Sequence, residues 1–256
     1  MVLDVLSMGG GVQSTAILVL VAQNKLPKPD LVVFCDTGSE LPQTLTHIKD
    51  RLIPLAESLD IPFNIVRYTN KKGASEPLYK HYMDRSLIPA PISGQCTRLF
   101  KIIPFKRHIR SIVGRKNKKI LARAWLGITT DESHRANTSG VGWYENHFPL
   151  LDLELSRDNC INILEEYGWG DTVKSGCFHC HYQSAKQWQA LKRKHPDLFK
   201  ISLDMEKKAL ERGFKGGLWG GSKSITGFDV ESLERWFALY SEDPIPLCNE
   251  NGGCFL

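Results

Sequence analysis

A chain of 256 residues with 42% hydrophobic and 24% charged content has the makings of one α/β core with room for an appendage. Its longest apolar stretch, Ala16 to Ala22, is too short to span a bilayer and follows a glycine-rich turn rather than the basic start of a secretion signal, so the expected location is cytoplasmic, with no membrane partner. Seven cysteines, an odd number, in such a reducing compartment read as metal ligands, reactive thiols or core residues rather than disulfides, and a net charge of +5 favours anionic partners such as nucleotides or nucleic acid.

Along the first seventy residues strands alternate with helices. Val2 to Ser7 reads as a strand, Gly9-Gly10-Gly11 as a break, Ser14 to Gln23 as a helix apolar all round, and Leu31 to Cys35 as a second strand ending in Asp36-Thr37-Gly38. An amphipathic helix over Leu41 to Leu59 and a third strand over Phe63 to Tyr68 follow. The alternation predicts a parallel twisted sheet with helices on both faces, with ligands at the carboxyl ends of the strands, where the glycine turn and Asp36 fall.

Residues Thr69 to Gly94 read as a long loop or lid, Arg98 to Val113 as a helix, Lys119 to Ile128 as a fourth strand, and Thr129 to Asn146 as a second polar loop. Ser156 is the expected N-cap of a helix through Tyr167. Two further helices, Ala185 to His195 and Pro196 to Arg212, precede a glycine-rich connector, a helix near Val230 to Tyr240, and a tail with Cys248 and Cys254. The expected division is an α/β domain over 1–173 and a helical C-terminal region over 174–256.

Two features carry chemistry. Ser7-Met8-Gly9-Gly10-Gly11-Val12-Gln13-Ser14-Thr15 sets small residues between a strand and a helix N-terminus, where bare N–H groups and the helix dipole favour a phosphate and Ser14 and Thr15 add hydroxyls; the bland alternative is a tight turn that merely needs glycine. No Gly-Lys-Ser/Thr ending is present, so this is not a Walker A loop. The second feature is Cys96 together with the pair in Gly176-Cys177-Phe178-His179-Cys180. CxxC spacing lets two thiolates reach one metal or iron–sulfur centre, and a third ligand from far earlier in the chain makes a clasp between distant segments. His179 and His181 flank Cys180, but neighbours of a CxxC turn usually point away from the ion. Cys35 and Cys160 fit core packing, whereas Cys248 and Cys254 lie in a polar tail, as a fourth ligand or a mobile nucleophile. The basic runs Arg115 to Lys119 and Lys192 to His195 fit solvated surfaces better than a nucleic-acid patch, and Trp188, Trp219 and Trp236 fit packing of the helical part.

The glycine turn resembles the SGGxxS loop of the PP-loop ATP pyrophosphatase superfamily, with glycine for the first serine and Val12-Gln13 for the common Lys-Asp pair. Phe34 to Glu40, Cys96 to Pro104, Leu126 to Arg135 and Phe148 to Asp152 resemble further segments of its phosphoadenosine-phosphosulfate (PAPS) reductase-like branch, with the basic residue after Cys96 moved one place and the tryptophan of the last element lacking. The resemblance implies an adenine nucleotide alpha hydrolase-like fold and a site for ATP with Mg2+ at Ser7, Gly9, Gly10, Gly11, Gln13, Ser14, Thr15, Asp36 and Gly127. It implies positioning and charge neutralisation by Ser14, Asp36, Arg98, Lys101 and Arg135. A [4Fe-4S] cluster on Cys96, Cys177 and Cys180, with Cys254 as fourth ligand or nucleophile, is the expected cofactor, and Zn2+ the alternative.

The activity that the resemblance implies is adenylation of an acceptor with pyrophosphate release, followed by sulfur transfer, as in the iron–sulfur enzymes of tRNA thiolation and DNA phosphorothioation that the branch resembles. A nucleic acid, tRNA or DNA, would be the acceptor, and a protein could deliver the sulfur. One alternative is a sulfonucleotide reductase, although its Glu-Cys-Gly tail motif is not reproduced around Cys254; another is a zinc-clasped nucleotide-binding protein or ligase.

Overall fold

The computed structural model describes residues 2–90, 94–114, 119–172, 174–219 and 224–225. Five strands, β1 (Leu3–Met8), β2 (Leu31–Asp36), β3 (Phe63–Arg67), β4 (Ala122–Trp125) and β5 (Tyr144–His147), form one sheet in the order β3-β2-β1-β4-β5. Every pairing is parallel. The chain moves outward from β1 to β2 and β3, then returns to the other side of β1 for β4 and β5. The strand order therefore reverses at the β1–β4 boundary, and the loops leaving these two strands diverge there and open a crevice.

Strand alternation divides the apolar residues between two faces. Leu6, Met8, Val32, Phe34 and Trp125 pack with α1 (Val12–Ala22) in one core, while Val5, Leu31, Val33, Cys35, Ala122 and Ala124 share the other with Phe105 and Ile109. Burial on both faces explains why β2 reads as an unbroken apolar run, and the all-round apolar α1 is buried from Val12 to Val21.

The expected helix over Leu41 to Leu59 is α2 (Pro42–His47), a π turn (Ile48–Leu52) and α3 (Ile53–Ser58) end to end. A short α4 (Leu78–Asp84) follows. The expected helix over Arg98 to Val113 is likewise α5 (Gln95–Thr97), a π turn (Arg98–Ile102) and α6 (Ile103–Val113). Both π turns run up to a proline, Pro54 or Pro104. Proline lacks an N–H and its ring crowds the carbonyl four residues back, and here the preceding residue takes the wider bond: Ile53 N–H donates to the carbonyl of Ile48, and Ile103 N–H to that of Arg98.

Two expected loops contain structure. α4 lies within the predicted Thr69 to Gly94 loop, its Leu78 and Tyr82 buried against the C-terminal helices. The predicted Thr129 to Asn146 loop holds a 3-10 turn (Thr130–Arg135) and the start of β5, an edge strand whose sequence Tyr-Glu-Asn-His has no apolar pattern because a single neighbour, β4, supplies its pairing. Beyond it come α7 (Pro149–Asp152) and α8 (Arg157–Glu166), the latter closed by a capping box between Ser156 and Asn159. α9 (Ala185–Lys194) and α10 (Pro196–Glu211) complete the described helices and enclose a third core in which Trp188 is fully buried beside Phe100, Phe178 and Phe199. The predicted helix near Val230 to Tyr240 and the cysteine tail lie outside the described residues.

Candidate functional site

β1 delivers the glycine turn to the crevice. A β-carbon on Gly10 would stand 3.1 Å from Thr44 Cγ2, one on Gly11 2.8 Å from Ser175 Oγ, and one on Gly127, at the end of β4, 3.0 Å from both Gln13 Cβ and Ser14 N. Three chain segments thus crowd the start of α1, and only glycine lets them approach. No side chain caps that helix at Gly11, so its first-turn N–H groups keep their capacity for a ligand. Ser14 Oγ accepts from Gly9 N–H at 3.2 Å and donates to the Gly11 carbonyl at 3.3 Å, holding the turn closed.

The other hydroxyl and amide of this stretch face elsewhere. Thr15 Oγ1 is 3.2 Å from His47 Nε2, and burial together with the Arg51 charge pushes the imidazole down to about 4, so it is neutral. Gln13 Oε1 accepts from Arg157 Nη1 at 3.1 Å, while its buried Nε2 has no hydrogen-bond partner among the described residues.

At the end of β2, Asp36 is held on both oxygens: Oδ1 accepts from Gly38 N–H at 2.7 Å, and Oδ2 from Arg67 Nε at 2.8 Å and Nη2 at 2.7 Å. Thr37 Oγ1 donates to Glu40 Oε1 at 2.9 Å and lies 3.4 Å from Cys177 Sγ. The CxxC segment docks here through backbone bonds, Leu41 N–H to the Gly176 carbonyl at 3.1 Å and Phe178 N–H to the Ser39 carbonyl at 2.9 Å, and turns through Cys180 N–H to the Cys177 carbonyl at 3.1 Å.

One cavity joins these parts. Ser7 and Gly9 line it from the glycine turn, Cys96 and Lys101 from the α5–α6 segment, and Cys177 and Cys180 from the CxxC turn. The Tyr82 phenol is pushed up by burial and then by its neighbours Cys96, Cys177 and Cys180. Burial, then the neighbouring Glu40, raises the Cys177 thiol well above its ordinary value, against the Lys101 charge. Glu40 itself is raised by burial and drawn back first by Lys101. His179 and His181 line the same cavity at 1% and 3% exposure, and none of their ring nitrogens has a hydrogen-bond partner among the described residues. Burial lowers them to about 3 and about 4, leaving neutral imidazoles.

Among the described residues no three His, Cys, Asp or Glu side chains gather tightly enough to hold a single ion. Cys96, Cys177 and Cys180 nevertheless line one cavity, and thiolates are the donors that an iron–sulfur cluster and a zinc ion both take.

The predicted residues are thus divided. Cys96, Cys177, Cys180, Lys101, Ser7 and Gly9 line the cavity; Gly10, Gly11, Ser14 and Gly127 shape its glycine turn. Arg98 is exposed, and Lys101, three residues on, reaches the cavity because the intervening π turn separates positions that an α-helix would stack. Arg135 pairs with Glu132 at 2.6 Å in the 3-10 turn. Cys254 lies outside the described residues. Cys35 and Cys160 are buried, each pushed up to about 12 chiefly by burial, as core packing implies. Arg67, Glu40, Tyr82, Lys174 and Ser175 were not singled out as site residues; the available signals were the Phe34 to Glu40 segment for Glu40 and adjacency to the CxxC pair for Lys174 and Ser175.

The family model described as phosphoadenosine phosphosulfate reductase domain matches residues 4–152. The chain belongs to that family. The matched region holds the glycine turn, Asp36, the Cys96 segment and Gly127, and stops short of the CxxC pair. Among solved structures, the PAPS reductase of Candida auris in its phosphate complex is 15% identical, with a TM-score of 0.44, covering 66% of this chain and 74% of that one. The U34-tRNA thiolase NcsA of Methanococcus maripaludis, solved with its [4Fe-4S] cluster, is 14% identical with a TM-score of 0.44, covering 87% of this chain and 77% of that one. No curated protein matches the chain.

Proposed function

We propose that this member of the PAPS reductase family is an ATP-using sulfurtransferase that adenylates an acceptor, releases pyrophosphate and then exchanges the activated oxygen for sulfur. The observation that carries the reading is the shared cavity: the glycine turn and the thiols of Cys96, Cys177 and Cys180 line one space, so a nucleotide on the turn would lie beside a sulfur-handling centre. The uncapped N-terminus of α1 would hold the phosphates, with the turn kept open by Gly10 and Gly11 and braced by Ser14.

An acceptor oxygen would attack the α-phosphorus of ATP, forming a P–O bond as pyrophosphate leaves with the electrons of the broken one. A sulfide-level sulfur nucleophile would then displace AMP. The chain's share is positioning and charge neutralisation, with Lys101 beside the thiols and the turn at the phosphates. Asp36 would meet Mg2+ on releasing Arg67, whose side chain is 62% exposed. Arg98, exposed next to the cavity's Cys96 segment, suits the phosphates of a tRNA or DNA acceptor. Cys96, Cys177 and Cys180 would hold a [4Fe-4S] cluster, with Cys254 as candidate fourth ligand, and such a group when bound supplies an iron that can carry sulfur.

A second reading, a sulfonucleotide reductase acting through the Cys254 thiol, has the support of the family model's own description. Anaerobic incubation with ATP, a sulfide donor and tRNA or DNA separates the two. Acceptor-dependent pyrophosphate release supports sulfur transfer; its absence with every nucleic acid offered, together with sulfite formed from PAPS, would replace this reading with the reductase.

A further inference from the structure

The glycine turn contains no lysine, because Val12 and Gln13 occupy the places of the family loop's common Lys-Asp pair. A nucleotide triphosphate brings several negative charges, and an uncapped helix end contributes only about half a positive charge towards them. A cation from elsewhere would fill that need, and two lysines line the cavity, Lys101 and Lys174. The charge of Lys101 already has buried groups near it, since it offsets the effect of burial on Glu40, Cys35 and Cys177. Lys174 is exposed and, among the described residues, has no ion-pair partner.

Its neighbour fixes where this segment lies. Ser175 Oγ stands 2.8 Å from the position a β-carbon on Gly11 would take and 4.0 Å from that on Gly9. The Ser175 hydroxyl is therefore laid directly over the turn, and Lys174 enters the cavity next to it. Two residues of the same cavity wall, His179 and His181, have buried ring nitrogens without a hydrogen-bond partner among the described residues, and unsatisfied buried groups of that kind call for one.

We propose that Lys174 and Ser175 complete the phosphate site over the glycine turn, Lys174 supplying the cation that the turn lacks and Ser175 a hydroxyl donor. The inference rests on the nucleotide-binding reading above and adds to it a second, distant chain segment. Ser175 is followed by Gly176 and Cys177, and the segment is tied to β2's end by the Leu41–Gly176 and Ser39–Phe178 backbone bonds. Phosphate occupancy and the position of the cysteines are then set by one short stretch of backbone.

Isothermal titration of the purified full chain with ATP, inorganic pyrophosphate and adenosine tests this. Lys174→Ala is expected to weaken ATP and pyrophosphate binding about tenfold to a hundredfold, the range for one charge-assisted contact, while leaving adenosine affinity unchanged. Lys174→Arg should recover most of the loss, and the salt dependence of ATP binding should be shallower in Lys174→Ala than in the unsubstituted chain. Ser175→Ala, which removes the hydroxyl without adding bulk against Gly11, should lower ATP affinity by a smaller factor. Unchanged ATP affinity in Lys174→Ala, or an equal loss for adenosine, overturns the assignment while nucleotide binding stands. If the unsubstituted chain binds neither ATP nor pyrophosphate, the nucleotide reading falls and takes this inference with it.

Discussion

Glu40 and Cys177 face each other in an isolated antiparallel bridge, so the residue four places beyond the end of β2 and the first cysteine of the CxxC pair are held as backbone neighbours. A segment far along the chain is thereby registered to the carboxyl edge of the parallel sheet. Thr37 ties the two side chains as well, donating to Glu40 and touching Cys177 Sγ at 3.4 Å. The geometry around this bridge leads to several measurable outcomes.

Cys177→Ser should abolish the iron and acid-labile sulfide content of protein purified without oxygen, together with its visible absorption, while far-ultraviolet circular dichroism stays unchanged. Serine is close to cysteine in size and can keep the contact with Thr37, but its hydroxyl is a poor ligand for iron. Iron and sulfide at the level of the unsubstituted chain would remove Cys177 from the ligand set, and stoichiometric zinc in both proteins would move the site to a structural clasp.

Gly38→Ala should destabilise the fold by roughly 2 to 4 kcal/mol in urea denaturation. Gly38 has φ of 67°, and a β-carbon there would stand 2.9 Å from Pro77 Cβ and 3.1 Å from its Cα. The left-handed backbone costs a side chain about 1 to 2 kcal/mol, and overpacking against a rigid proline adds a similar amount. Gly73→Ala is the control: φ is 79° but nothing lies within 4 Å, so it should show the backbone cost alone. Equal losses at the two positions would mean that the approach of Pro77 is not tight.

Stability should fall as the pH drops from about 6.5 towards 4, with His47 a contributor. Its folded value lies at about 4, below the ordinary 6.5, chiefly through burial and then the Arg51 charge. Between those values the unfolded chain takes up the proton and the folded chain does not, so stability is lost on acidification and regained as pH rises, by at most about 3.5 kcal/mol at roughly 1.4 kcal/mol per unit. His47→Gln keeps a polar partner for Thr15 without titrating. Its stability curve across this range should be flatter, and a curve parallel to that of the unsubstituted chain would exclude the contribution.

Glu206→Ala should cost roughly 2 to 4 kcal/mol. The carboxylate is fully buried on α10 and accepts from Leu218 N–H at 2.7 Å, from Ile225 N–H at 2.9 Å and from the Ser224 hydroxyl. Truncation strands these donors, whereas Glu206→Gln keeps an acceptor oxygen and should lose less. Limited proteolysis should find new cleavage beyond α10 in the alanine variant; an unchanged digest and an unchanged denaturation midpoint would show that this carboxylate does not hold the segment.

The chain alone revealed those elements whose burial is complete. β2 and α1 are surrounded on all sides, so an unbroken apolar run was enough to find them, and Ser156 announced α8 through a capping box that is local by nature. β5 was missed because an edge strand needs one partner and little apolar surface, and α4 because its burial is provided by α9 and α10, distant in sequence. The π turns were hidden for a different reason: helical periodicity survives one widened turn, and only Pro54 and Pro104 hinted at it.

The same division runs through the site. Residue chemistry and spacing, which are properties of the chain itself, determined that a glycine turn precedes a buried helix and singled out Cys96, Cys177 and Cys180 as candidate ligands. Tertiary structure alone decided that the turn and the thiols share one cavity, that Lys101 enters it while Arg98 does not, that Asp36 is held by Arg67, and that Lys174 and Ser175 lie over Gly11. Those relationships depend on where parallel strands end and how a far segment docks across their edge, and no local preference of the backbone encodes the distance between residues 11 and 175.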